Sequence, residues 1–196
     1  MAAAMEISNP SIARGHRIKT LNAVAAAFCG GIPAALLVRL RPSQPQHWII
    51  GLIAGILWAN AFEYAYHRYL LHLPGSFFGK RHLQHHASIG TPREAEHVNL
   101  GGSWVWVLVM FAANGIPLIA ADLFLRLGVA AAMLLGFSIY FVVVEEVHWR
   151  IHMRERLPKF LDFARTHHFE HHSYPDGRYN IFLPIFDRLV RPRAAH

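Results

Sequence analysis

Residues 48–72 read WIIGLIAGILWANAFEYAYHRYLLH, an apolar run that leads directly into a pair of histidines. The apolar part, Trp48–Tyr66, is long enough to cross a bilayer as a helix, which takes about 20 residues. On a regular helix, two residues five positions apart point about 140° away from each other. We therefore expect the helix to end or distort between His67 and His72, and Pro74-Gly75 supports an ending.

Three other stretches are also long and apolar enough to span a membrane: Leu21–Val38, Gly102–Ala121 and Leu127–Val144. Four such stretches in 196 residues leave too little polar sequence to cover them as the core of a soluble protein. The sequence therefore predicts an all-α fold with four transmembrane helices. Asp122–Arg126 is predicted to be a tight connector that makes the last two spans a hairpin.

The composition excludes several classes of protein. Apolar residues make up 54% and charged residues 16% of the chain, against about 45–50% and about 25% in soluble globular proteins. This balance argues against an ordinary soluble domain, a disordered chain and a nucleic-acid-binding protein. The lone cysteine, Cys29, rules out an intramolecular disulfide and a cysteine-based metal site.

The distribution of lysine and arginine predicts the orientation of the chain in the membrane. Three of these residues precede the first span, four lie in 67–100 and nine follow the last span, and all of these segments are on one side of the membrane. Only three lie in the connections on the other side. Because basic residues favour the cytosolic side, we expect the termini, the 67–100 segment and the histidines to be cytosolic. Alanine- and arginine-rich usage favours a bacterial inner membrane over the endoplasmic reticulum.

The histidines form four clusters, all on the predicted cytosolic side. Residues i, i+3 and i+4 share one helix face, so the three histidines of each HxxHH motif are expected to point the same way. Neutral imidazoles gathered in this way form a metal site, and ten ligands exceed the capacity of one ion. The sequence therefore predicts two metal ions, with ligands His67, His72, His82, His85, His86, His148, His152, His168, His171 and His172.

Other residues were assigned supporting or alternative roles at this site. Glu63, Glu145 and Asp187 are candidates to accept the second N–H of a ligating imidazole, which fixes its tautomer and raises its basicity. Salt bridging is the alternative role for these acids. His167 is one turn before His171 and is an alternative to His168, and His97 is a further alternative ligand.

The four histidine motifs, in this order, resemble the signature of the fatty acid hydroxylase superfamily. They read HRYLLH (67–72), HLQHH (82–86), HWRIH (148–152) and HFEHH (168–172). That superfamily includes sterol desaturases, C4-methylsterol oxidases, fatty acid 2-hydroxylases and carotenoid hydroxylases. The tail RYNIFLPIFDRLV also resembles the closing pattern of the family, with Ile181-Phe182 in place of Phe-Gly and Phe186 in place of Trp. The resemblance covers about residues 60–192.

The resemblance implies a single membrane domain, residues 1–196, whose cytosolic helical cap holds two iron ions. It implies O2-dependent hydroxylation or desaturation of a C–H bond in a lipid such as a fatty acyl chain, a sterol or a carotenoid. Because no cytochrome b5 domain is fused here, the electrons are expected from a separate protein, either cytochrome b5 or a ferredoxin with its reductase. Zinc outcompetes ferrous iron at such sites, so a purified sample can carry zinc.

Two other functions are alternatives. A membrane metal transporter or sensor needs polar groups at mid-membrane depth, where only Glu63 lies well inside a predicted span. A zinc-dependent membrane hydrolase needs about three protein ligands and one open position per zinc, which is fewer ligands than the sequence offers.

Overall fold

The computed structural model describes residues 8–41, 43–99 and 102–190, and this part of the chain contains helices and no strand. The α-helices are α1 (Asn9–Leu40), α2 (Pro45–Ala65), α3 (Phe77–Ser88), α4 (Glu94–His97), α5 (Trp104–Leu125), α6 (Ala130–His152), α7 (Asp162–Ser173) and α8 (Ile185–Leu189). A π-helical turn covers Tyr66–Leu71, and a short 3-10 turn covers Lys159–Leu161.

Within the described residues, four helices are long and apolar enough to cross a membrane, as predicted. They are α1, α2 with its π-helical turn, α5 and α6. Their observed bounds are wider than the predicted spans: α1 begins at Asn9 and not near Leu21, and α6 ends at His152 and not near Val144. Hydropathy marks only the apolar part of a helix, whereas backbone hydrogen bonding continues through polar residues.

The predicted connector between the last two spans was misplaced. Residues 122–125 are still helical in α5, and the turn lies at 126–129 instead. Arg126 adopts the left-handed conformation that ends α5. The carboxylate of Asp122 accepts hydrogen bonds from the backbone N–H groups of Val129 and Ala130, at 2.8 and 3.2 Å. Asp122 therefore caps the start of α6 and is not part of the turn.

The chain divides into two compact units, and the prediction of a single domain stays a prediction. One unit comprises residues 20–59 and 103–143, and contains most of the apolar length of the four long helices. Small residues let its helices pack closely, as is common in membrane proteins. A Cβ added at Gly55 would lie 2.3 Å from the carbonyl oxygen of Met133, and one at Gly136 would lie 2.6 Å from that of Leu52.

The other unit comprises residues 1–19, 60–102 and 144–196, and it contains every histidine of the four motifs. The start of α1 packs here: Lys19 Nζ lies 2.6 Å from a carboxylate oxygen of Glu146. Ala95 and Val98 form a small apolar cluster with Trp149 of α6. The ion pair of Lys19 with Glu146 gives the polar first part of α1 a partner on α6.

Candidate metal centre

The first histidine pair lies at the π-helical turn that follows α2. A π-helix bonds residue i to residue i+5, so residues five positions apart come onto one face. The rings of His67 and His72 have their centroids 5.3 Å apart. The expected distortion between these two residues is confirmed, and its physical effect is to turn a divergent pair into a convergent one.

The two HxxHH motifs each divide their histidines between two groups. On α3, His82 and His86 belong to one group while His85 belongs to the other; on α7, His168 and His172 share a group that His171 does not join. Each triplet therefore serves two groups, a division that the sequence reasoning did not predict. One helix face spans enough width for residues i and i+3 to contact different neighbours, and only the i, i+4 pairs stay together.

The first group consists of His67, His72, His82, His86 and His171. One ligand atom from each lies within 4.8 Å of every other. The Nε2 atom of His82 is central: it lies 3.0 Å from that of His67, 3.1 Å from that of His72 and 2.9 Å from that of His86. His171 completes the group, with its Nε2 atom 3.3 Å from that of His72.

The second group consists of His85, His148, His152, His168 and His172, again with ligand atoms within 4.8 Å of one another. Here the Nε2 atom of His168 is central. It lies 2.9 Å from the Nε2 atoms of His148, His152 and His172. The two groups adjoin each other, because the rings of His86 and His172 have centroids only 4.3 Å apart.

The spacing of these nitrogens fits metal ligands better than hydrogen-bond partners. A ring nitrogen carries either one proton or one lone pair, so His82 Nε2 and His168 Nε2 cannot each satisfy three nitrogen neighbours by hydrogen bonding. Ligands at about 2.0–2.1 Å from a common ion lie roughly 2.9–3.4 Å apart for bond angles between 90° and tetrahedral. The observed separations of 2.9–3.3 Å fall in this range.

Partners on the far side of three rings fix which nitrogen faces inward. The Nδ1 atom of His67 lies 2.5 Å from the carbonyl oxygen of Tyr179, and that of His171 lies 2.6 Å from the carbonyl oxygen of Gly177. The Nδ1 atom of His152 lies 2.9 Å from a carboxylate oxygen of Glu94. Since these oxygens only accept, Nδ1 carries the proton and the Nε2 lone pair faces the group.

Burial keeps the rings neutral, as metal ligation requires. Desolvation, with neighbouring imidazoles acting in the same direction, lowers the pKa of His86 to about 3, and desolvation is the main cause that lowers the pKa of His171 to about 4. Burial also lowers the pKa values of His85 and His168 well below the ordinary range, with the surrounding histidines acting in the same direction. The ten histidines could thus hold two metal ions, and their chemistry fits the predicted pair.

The predicted supporting acids have different partners. Glu63 accepts hydrogen bonds from the side-chain amide of Asn180 and the backbone N–H of Ile181, at 2.7 and 3.0 Å. Asp187 accepts from the backbone N–H groups of Tyr179 and Asn180, at 2.8 and 2.9 Å. Both acids hold the loop whose carbonyl accepts from His67, so their support of that ring is indirect. The role assigned to Glu145, which is buried, stays a prediction.

The two alternative ligands lie outside both groups. The Nε2 atom of His167 is 3.1 Å from a carboxylate oxygen of Asp187, and His97 ends α4. Glu94 contacts His152 of the second group, and the sequence reasoning missed this acid. Glu94 lies 58 positions from His152 and outside every histidine motif, so no spacing pattern could have identified it.

Comparison with known proteins places this histidine arrangement in a described family. A family model for fatty acid hydroxylase matches residues 52–191. A solved structure described as full-length Scs7p, with only the hydroxylase domain visible, is similar at 20% identity and a TM-score of 0.59. The match covers 84% of this chain and 61% of that one, which at this identity supports the fold. No curated protein matches the chain significantly.

Proposed function

Because the chain belongs to the fatty acid hydroxylase family, we propose that it is an O2-dependent lipid hydroxylase whose ten histidines hold two iron ions. The observation that carries this proposal is the pair of adjoining five-histidine groups. Each has one central Nε2 atom with three others at 2.9–3.1 Å.

The proposed division of work follows from the chemistry of the donors. When bound, a pair of iron ions supplies the oxygen-activating redox chemistry that imidazole side chains lack. The chain supplies a fixed geometry, because the carbonyl oxygens of Tyr179 and Gly177 and the carboxylate of Glu94 orient three of the rings. It also limits access of water, since His67, His85, His148, His152, His168 and His171 are almost fully buried.

A lipid is the proposed substrate because both the family and the apolar helices point to one. The four long helices are suited to a bilayer, in which an apolar chain dissolves and water does not. We propose a fatty acyl chain as the first substrate to test, with sterols and carotenoids next. Desaturation shares the first hydrogen abstraction with hydroxylation, so both products should be sought.

The proposal also covers the location of the site and the source of electrons. The histidine region is proposed to face the cytosol, and an external electron-transfer protein is proposed to supply the electrons.

The test uses the full chain in lipid nanodiscs, loaded with ferrous iron and supplied with O2, an acyl lipid, a ferredoxin with its reductase, and NADPH as the source of electrons. We expect about two iron ions per chain and a product one oxygen atom heavier, whose oxygen derives from isotopically labelled O2. Zinc-loaded protein should give no such product, because zinc has no redox chemistry. Mass spectrometry of the lipids and metal analysis of the protein measure both outcomes.

Matched variants separate ligand loss from general damage. His168→Ala removes the central ring of the second group and should abolish the product, whereas His97→Gln alters a histidine outside both groups and should leave it unchanged. Transport of metal into sealed vesicles without O2 consumption would overturn the hydroxylase and favour a transporter. Lipid hydrolysis by the zinc-loaded form would favour a hydrolase.

A further inference from the structure

A cleft lies at the connectors of the unit formed by residues 20–59 and 103–143, and no histidine of the four motifs lines it. Its volume is about 440 Å³. Residues of the α1–α2 connection and of the turn between α5 and α6 line it together. The donors that it presents are on Arg41, Ser43, Gln44, His47 and Arg126, with the backbone of Gly128 beside them.

Contacts between the two connectors form this cleft. Arg41 Nη1 lies 3.4 Å from the carbonyl oxygen of Leu123 near the end of α5, which leaves most of the five guanidinium N–H donors available. Gly128 has a positive φ of 69°, and a Cβ there would lie 3.2 Å from His47 Nδ1. The glycine therefore lets the second connector approach the imidazole closely.

The electrostatics of the cleft favour an anion. Two guanidinium groups, from Arg41 and Arg126, line it, and none of the lining residues that the structure describes is acidic. The nearest acid in sequence, Asp122, is buried and is bonded to the first backbone N–H groups of α6. The α2 helix also begins at Pro45, so the positive end of its dipole lies at the cleft.

The surroundings of the cleft are those of a membrane interface. Leu40, Ile49 and Phe124 lie on the adjoining helix ends with 76%, 63% and 86% of their surface exposed. The helices that carry these residues, α1, α2 and α5, are apolar enough to cross a bilayer, so the exposed side chains suit contact with acyl chains. A ligand here would have an anionic head among arginines and an apolar tail along the helices.

The geometry points to a binding site for a phosphoryl group at this cleft, and specifically for the phosphate of an anionic phospholipid. Arginine recognises phosphate through paired N–H donors, and the Ser43 hydroxyl and His47 ring add further donors. The exposed apolar side chains beside the cleft favour a lipid over free phosphate. This site does not depend on metal binding or on the proposed hydroxylase activity.

The test measures lipid binding to the full chain in a neutral detergent by native mass spectrometry. The probes are phosphatidylglycerol, phosphatidylcholine and inorganic phosphate. We expect phosphatidylglycerol to bind most tightly and its affinity to fall about fivefold for each of Arg41→Gln and Arg126→Gln. Arg39→Gln removes a neighbouring charge that does not line the cleft, and it should leave the affinity unchanged.

A further variant tests the site with a substitution that should not disturb folding. Gln44 is exposed, so Gln44→Glu should preserve the fold while placing an acid in the cleft, and it should weaken phosphatidylglycerol binding as well. Equal binding of inorganic phosphate would support a phosphoryl site with a soluble source. Unchanged affinity in the arginine variants, or equal loss in Arg39→Gln, would overturn the site.

Discussion

The two histidine groups have the same number of ligands but differ in how they are held. In the first group, His72 and His86 are partly exposed, and the rings of His67 and His171 bond to backbone carbonyls, those of Tyr179 and Gly177. In the second group four of five rings are buried, and a carboxylate, Glu94, anchors His152. A carboxylate raises the basicity of a ligating imidazole more than a carbonyl does. We therefore expect the second group to bind its ion more tightly.

The two groups also differ in how the outer partners of their histidines are themselves positioned. Tyr179 belongs to a loop that Glu63 and Asp187 hold from two sides, so the first group relies on a chain of backbone contacts. Glu94 contacts His152 directly and accepts a hydrogen bond from the backbone N–H of Gly90 at 2.7 Å. A similar set of ligands is thus stabilised by a loop in one case and by one side chain in the other.

Removing the central ring of either group should have the largest effect. His82→Ala should empty the first group and His168→Ala the second, each leaving about one metal ion per chain. Product formation should fall by more than the roughly 10–100-fold that loss of an outer partner costs. Metal analysis and product assays on both variants measure this, with gel filtration to check folding. Loss of both ions in either variant would show that the groups do not bind independently.

Substituting the two outer acids should sharpen the contrast between the groups. Glu94→Gln should weaken metal binding in the second group by about 10–100-fold, because the amide is neutral and His152 loses a charged partner. Asp187 makes its hydrogen bonds to the backbone of residues 179–180 and affects His171 through its charge, so the effect of Asp187→Asn should be smaller. Chelator titration of each variant gives the two affinities. A larger loss in Asp187→Asn would contradict the proposed order.

Acid should destabilise the metal-free protein through its buried rings. In the folded state the pKa of His171 is lowered to about 4 and that of His86 to about 3, from the ordinary 6.5. Below pH 6.5 the unfolded chain takes up protons that the folded rings do not. Each such ring thus costs about 1.4 kcal/mol of stability per pH unit down to its folded pKa.

The measurement for this prediction is the melting temperature of the metal-free protein between pH 7 and roughly pH 4. The melting temperature should be flat above pH 6.5 and should fall below it. Bound metal should raise the melting temperature without removing this fall, because the unfolded chain still takes up the protons. A melting temperature that rises with acid over this range would contradict the neutral state of the rings.

Glu170 should have the smallest effect, although it lies inside the HFEHH motif. Its side chain is exposed and lies 2.9 Å from the guanidinium of Arg178. Exposed ion pairs contribute about 0–1 kcal/mol, so Glu170→Gln should leave metal content and product formation unchanged. A loss of metal in this variant would show that the acid supports a ligand after all.

Particular residues show how far sequence reasoning reached. Hydropathy predicted four long helices, but it placed the last turn at Asp122, whose carboxylate in fact caps α6. The i, i+4 rule correctly paired His82 with His86 and His168 with His172, because this relation holds within a single helix. That rule says nothing about the groups of His85 and His171, which depend on the neighbouring helices that these residues meet.

The sequence by itself determined the four long apolar helices, the distortion between His67 and His72 and the ten candidate ligands. All of these follow from local periodicity and residue chemistry. Only the tertiary structure decided how the histidines divide into two groups and which oxygens orient them. Contacts such as that between His152 and Glu94 join residues far apart in the chain, and such contacts arise from packing between segments, which no local spacing encodes.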